Sequence, residues 1–166
     1  MTGTPESRTR RARRLLLVVA AGLLAVALVV DPIARHTLTD GRSIDLGVLQ
    51  LRLTYNTGVA FSMGNQLPTP VLLTVTGLIT AAVGVYAWRT APASTWPTIV
   101  GLAAIFAGAA ANVIDRTLDG KVTDYLHTGW FPTFNLADTF LTCGVILLLI
   151  SLFTEARTES TKETAP

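Results

Sequence analysis

The stretch "FPTFNLADTFLTCGVILLLISLF", residues 131–153, sets Asn135 and Asp138 at the head of a run that then turns almost wholly apolar. The run from 136 to 153 is close to the roughly 17–25 residues a helix needs to cross a bilayer. A carboxylate beside hydrocarbon is costly, so one placed at the mouth of such a segment is more often retained for function than by accident.

Three more runs of the same kind lie upstream, at about 15–30, 68–88 and 96–114, the first extending through "DPIA" to 34. The whole chain has 166 residues, of which 50% are hydrophobic and 14% charged, with a mean hydropathy of +0.49. Soluble domains carry charge on about a quarter of their residues, so the composition predicts an integral membrane protein. The pI near 9.0 arises in part from "RTRRARR" at 8–14, beside the first apolar run. That is a cytoplasmic membrane flank, and no nucleic-acid module accompanies it. Cys143 is the single cysteine, so no intramolecular disulfide and no cysteine-rich metal motif is expected; it is read as a buried helix residue. His36 and His127 are too far apart to suggest a local metal pair and read as loop residues.

A competing reading of the N-terminus is a cleavable signal peptide with "AVA" at 25–27 before the cut. Cutting there would leave "LVVDPIARH" as a new terminus and strand three helices, so four spans are preferred. The arginines at 8, 10, 11, 13 and 14 place the N-terminus in the cytoplasm, and four spans return the C-terminus to the same side. The organisation expected is a basic cytoplasmic segment at 1–14, a four-span domain at 15–153, and a disordered cytoplasmic tail at 154–166. Two longer connections, 31–67 and 115–135, then face outward, and every Asp lies in them or at their membrane edge. Within the first, "LQLRLTY" at 49–55 alternates as a half-buried strand does, with turn signals at Asp40–Gly41 and Gly47. The fold expected is all-α, a four-helix membrane bundle with a small extracytoplasmic β-element.

Four polar islands border the outer helix ends: "YNTGVAFSM" (55–63), "AGAAANVIDR" (107–116), "KVTDYL" (121–126) and "FNLAD" (134–138). Asn112, Asp115 and Arg116 close the third helix, Asp124 falls in the outer loop, and Asn135 and Asp138 open the fourth. Three carboxylates and one guanidinium thus meet at one depth. Two carboxyl groups held against a low-dielectric wall share one proton: the neutral one donates to a carbonyl while its ionised neighbour deprotonates water. No "HExxH" and no Cys–His pairing offers a rival chemistry. Each island also has a bland reading. Asn135 caps the fourth helix with Asp138 at its positive end, Asp115 and Arg116 form an interfacial salt bridge, and "AGAAA" permits close helix contact. Asp115, followed by Arg116, is read as kept ionised by that neighbour and so as a positioning group, whereas Asp124 has only Lys121 near it in sequence.

Taken together and in this order, "NTGVAFSM", "NVIDR", "VTDY" and "FNLAD" resemble lipoprotein signal peptidase, or signal peptidase II, over about 31–153. The resemblance implies a bacterial inner-membrane aspartic peptidase that removes the signal peptide of prolipoproteins before a diacylglyceryl-modified cysteine. It implies Asp124 and Asp138 as the catalytic pair. Asn56, Gly58, Asn112, Arg116 and Asn135 would line the substrate site, with Asp31, Arg35, Asp115 and Ala137 supporting it. No metal or cofactor is implied; the partners would be lipidated precursors, membrane lipid and a cyclic-peptide inhibitor such as globomycin, acting on a monomer with its site at the outer face. The chain departs from the family pattern at Pro32 and Arg35, where glutamine and lysine are usual, and at Ala107 and Ala111, where glycine is usual. Two other classes compete. A small four-helix transporter would want a carboxylate near the midplane, which no run has; a silent homologue would bind lipopeptide or inhibitor without turnover.

Overall fold

The computed structural model describes residues 4–58 and 68–163. Helix α1 spans Pro5–Thr37, α2 Thr69–Thr90, α3 Trp96–Asp119 and α4 Leu136–Glu163; strands β1 (Ser43–Asp45), β2 (Gln50–Asn56) and β3 (Val122–His127) complete the chain. All four helices are long and apolar enough to span a membrane, and large side chains such as Leu17, Val29, Leu78, Ile79, Leu152 and Phe153 face outward. The four-helix bundle with a small sheet therefore matches the expected fold. The last part of the "YNTGVAFSM" island, 59–63, lies outside the described residues.

Helix α3 is the centre of the bundle. Of its most apolar window 44% is buried, against 17–22% for the other three helices. Its small residues explain why. Gly101, Ala103, Ala104, Ala107, Gly108 and Ala111 give it a thin face, and neighbouring backbones approach where no side chain intervenes. A methyl at Gly108 would collide with the Ala137 carbonyl, and one at Gly144 would lie 2.7 Å from the Gly101 carbonyl. These two seams are seven residues apart on both helices, two helical turns, and lock α3 against α4 in antiparallel register. Ala107 and Ala111 are fully buried without disturbing this packing; Ala111 sits with Ala27 and Ala137 in one cluster. The extra methyls relative to the family pattern are thus accommodated. At the opposite end Thr95, Thr98 and Ser151 share hydroxyl contacts of 2.8–3.1 Å and tie α3 to α4 again.

Several boundaries differ from the sequence reading. The basic segment at 8–14 is part of α1, which starts at Pro5 with Thr4 as its cap. Arginine and alanine favour helix, and Arg13 lies over the Trp88 ring at 4.7 Å. The expected disordered tail instead continues α4 through Glu163, because "EARTESTKE" holds neither Gly nor Pro. Helix α3 runs past 114 to Asp119 and stops at Gly120, whose φ of 72° supplies the left-handed cap. His36 is helical and His127 ends a strand rather than lying in loops, and Cys143 is exposed on α4 rather than buried.

The sheet has the order β1-β2-β3, all antiparallel. Strand β3 pairs with β2 so that Thr54 faces Asp124, Tyr55 faces Thr123 and Asn56 faces Val122. Asp124 is therefore on a strand, not in a loop. The alternation is hard to read from sequence because 122–125 are buried on both faces, which removes the polar-out signal of a half-exposed strand.

Candidate active site

Phe134 folds back beside β3, exchanging backbone hydrogen bonds of 2.8–3.0 Å with Leu126 and Tyr125. This return delivers Asn135, the residue before α4, next to Asp124. Asn135 is fully buried, and its amide is oriented by necessity. Its Oδ1 accepts from the Asp138 backbone N–H at 2.9 Å, capping the helix. Its Nδ2 must then point the other way, and it donates to Asp124 Oδ1 and to Asn112 Oδ1, each at 3.0 Å. Asn112 Nδ2 donates in turn to Asp138 Oδ1 at 2.9 Å, and the Asn135 N–H reaches Asp138 Oδ2 at 3.3 Å. Asp124 and Asp138 are thus joined through two carboxamides. The capping reading of Asn135 and Asp138 holds, and the same atoms build the carboxylate pair.

Asp124 comes from β3, Asp138 from the first turn of α4 and Asn112 from α3, so three elements must dock before the group exists. Burial, then the charge of Asp138, raises the Asp124 carboxyl from 3.8 to about 7, against hydrogen bonds from Asn135 and Asn56 that lower it. A proton therefore stays in the pair near neutral pH. Asn56 also holds the chain beyond β2, accepting from the Gly58 N–H at 2.9 Å. Arg116, buried on α3, donates through Nη2 to the Gly58 carbonyl. Among the described residues its Nε has no hydrogen-bond partner, nor has the Thr128 hydroxyl; both residues line the cavity below.

Asp115 and Asp31 make their contacts with groups other than the pair. Asp115 is ion-paired to Arg35 of α1, and its Oδ2 accepts from the Thr123 backbone N–H at 2.7 Å. Its cation is therefore Arg35 and not Arg116, which corrects the sequence reading. Consecutive helix residues point about 100° apart, so neighbours in sequence do not face each other. Asp31 accepts from the Tyr125 hydroxyl at 3.1 Å. Burial and then Asp31 push the Tyr125 phenol up, so it remains a donor. Lys121 is over the Tyr55 ring at 3.5 Å. Sequence reasoning missed Thr123, Tyr125 and Asp119. The signal available was the i, i+2 spacing of Thr123 and Tyr125 around Asp124, which becomes informative once β3 is known to be a strand.

A cavity of about 890 Å³ opens onto the pair. Its floor is Asn112, Val113 and Arg116 of α3, its sides Ile79 and Thr80 of α2 and Leu141 and Cys143 of α4, and its upper wall the Trp130–Phe131–Phe134 aromatic group. Helix α3 packs on both α2 and α4, which do not pack extensively on each other. The cavity is therefore a groove whose walls part toward the surrounding medium.

Residues 14–154 match the family model described as Signal peptidase (SPase) II. The chain belongs to the signal peptidase II family. Proteins named lipoprotein signal peptidase are similar to it: one from Rhodococcus jostii (strain RHA1), 33% identical over 88% of this chain and 76% of the relative, and one from Mycobacterium avium (strain 104), 36% identical over 88% and 82%. A relative from Dehalococcoides mccartyi (strain CBDB1) is 37% identical over 79% and 83%. A solved bacterial membrane enzyme superposes with a TM-score of 0.73 at 28% identity, covering 85% of this chain and 88% of its own. The family is one of peptidases, and four spanning helices with such neighbours make this a multi-pass bacterial membrane protein.

Proposed function

We propose that the protein is an aspartic peptidase that removes signal peptides from diacylglyceryl-modified prolipoproteins, cleaving before the lipidated cysteine, with Asp124 and Asp138 as the catalytic pair. The observation that carries this reading is the meeting of two carboxyl groups, through Asn135 and Asn112, at the wall of an apolar groove open between α2 and α4. One acid of the pair keeps the shared proton and donates a hydrogen bond to the scissile carbonyl, while its ionised partner accepts a proton from water. The water oxygen adds to the carbonyl carbon. The proton taken up by the ionised partner then passes to the departing nitrogen as the C–N bond breaks, leaving a carboxylic acid on the signal peptide, which ionises to solvent, and an amine on the lipidated cysteine. The pair titrates as one unit, so these roles describe where the shared proton rests.

Asn56, Gly58, Asn112, Arg116 and Asn135, which line the groove or hold its wall, would bind the peptide around the scissile bond. The acyl chains stay in lipid while the peptide enters laterally between α2 and α4. Both termini are cytoplasmic and the site faces outward, a reading supported by the arginine cluster near the N-terminus. The protein acts as a monomer, and a cyclic peptide such as globomycin would compete in the same groove. Incubation of the purified protein with a diacylglyceryl-modified prolipoprotein, followed by mass measurement, tests the reading. A shortened lipoprotein beginning at the modified cysteine is expected; binding without turnover would identify a silent homologue.

A further inference from the structure

The side of β3 turned away from the groove carries a second polar group that touches neither the cavity nor the carboxylate pair. Thr123 and Tyr125 flank Asp124 and project from the opposite face of the strand, as alternation requires. Both are fastened to α1. Arg35 Nε donates to Thr123 Oγ1 at 2.7 Å, and the Tyr125 hydroxyl donates to Asp31 Oδ1 at 3.1 Å. Asp31 and Arg35 are one turn apart on the helix, about 6 Å along its axis. Thr123 and Tyr125 are two residues apart on the strand, about 6.5 Å. The two repeats match, so one turn of α1 engages one face of β3 at two successive points.

Each point is secured a second time. The guanidinium of Arg35 forks to Asp115 and Asp119 on α3 through its two terminal nitrogens, and Asp115 holds the Thr123 backbone N–H at 2.7 Å. The Tyr125 oxygen also accepts from the Leu136 N–H at 3.2 Å, in the first turn of α4. Thr123 is fully buried and Tyr125 nearly so. From these contacts we infer that Asp31, Arg35, Thr123 and Tyr125 form a two-toothed clamp that positions Asp124 against Asp138, with Asp115 and Asp119 anchoring Arg35. The clamp rests on the reading of Asp124 as catalytic. It gives a physical reason for the four-residue spacing in "DPIAR", since a shorter or longer interval would rotate one tooth off the strand. Pro32, between the teeth, faces no such demand and is exposed.

Thr123→Val and Tyr125→Phe each remove one hydroxyl at nearly constant shape, and two readouts are taken on each purified variant. The first is turnover of the lipidated precursor. A displaced but still bound site lowers kcat by about tenfold, equivalent to about 1.4 kcal/mol, with KM within about twofold. Thr123→Ser keeps the hydroxyl and is expected to recover kcat to within about threefold of the natural enzyme. The second is amide hydrogen exchange of the peptide containing β3, which is expected to quicken in Thr123→Val and Tyr125→Phe while exchange in α3 and in α4 beyond its first turn is unchanged. Natural kcat together with natural β3 exchange in both variants would overturn the clamp, as would an equal loss in Thr123→Ser and Thr123→Val. If the natural protein fails to cleave the precursor, the peptidase reading falls, and the exchange measurement still decides whether the clamp exists.

Discussion

Asp124 carries a pH dependence whose sign follows from its surroundings. Its carboxyl holds a proton in the folded site up to about pH 7, while the ordinary value is 3.8. Between those two values the folded state binds more protons than the unfolded one, so this residue's contribution makes stability fall as pH rises through the interval. Thermal midpoints measured from pH 4.5 to 8 in one detergent should therefore decline less steeply in Asp124→Asn than in the natural protein; parallel curves would contradict the raised value. The same variant, and Asp138→Asn, should be inactive while still inserting and folding. Asp115→Asn is expected to act differently. It leaves Arg35 without its buried partner and faces the Thr123 N–H with an amide, at a cost of about 3 kcal/mol, so reduced protein level with residual turnover is the outcome to measure by yield and specific activity. A well-folded but dead Asp115→Asn beside an active Asp124→Asn would show that the wrong aspartate had been chosen. The residue types of this site were legible because a carboxylate at the mouth of an apolar run is conspicuous. Their partners were not: the pairing of Asp115 with Arg35 joins positions 80 apart in sequence, and no local pattern encodes it.

At the scale of elements, the four apolar runs announced the helices, since only a helix can satisfy the backbone of such a segment in lipid. Strand β3 was hidden, because a strand buried on both faces shows no alternation, and α3 was expected to end at the Asp115–Arg116 charges when Gly120 is what stops it. The seam between α3 and α4 yields an element-scale prediction. Gly108→Ala places a methyl against the Ala137 carbonyl, which is backbone and cannot rotate aside, so a loss of about 1–3 kcal/mol is expected. Gly84→Ala meets only the Phe106 ring, at 2.8 Å, and a side chain can turn. Thermal midpoints of the two variants should fall in that order, Gly108→Ala well below Gly84→Ala.

For the whole molecule, the order of the elements brings the carboxyl end of α3, the amino end of α4 and the sheet to one end of the bundle, and the site is made only there. If both termini are cytoplasmic, a reporter fused after Pro166 that works only outside the membrane should stay silent. Activity from it would put the carboxylates on the other side. The lipid requirement can be tested independently. A precursor with serine in place of the modified cysteine should be cleaved poorly or not at all, since acyl chains concentrate the peptide at the groove, and chelators should leave cleavage of the natural precursor unchanged. Equal cleavage of the serine form would remove the reason for a groove open to the bilayer.

The contacts of Gly108 with Ala137 and of Gly101 with Gly144 have a consequence for how the enzyme meets membranes of different thickness. Helices usually answer a mismatch with their bilayer by tilting or kinking. Here α3 and α4 touch backbone to backbone at two levels, so neither can slip along the other without one chain running into its neighbour. Strain from a thin or thick membrane must then be taken up by tilt of the pair as a unit and by α2, which forms one wall of the groove without packing closely on α4. Turnover at saturating substrate should accordingly vary little among vesicles of short and long acyl chains, while the substrate concentration needed to reach it shifts. On the proposed reading the chemistry would be insulated from the lipid, and admission to it would not.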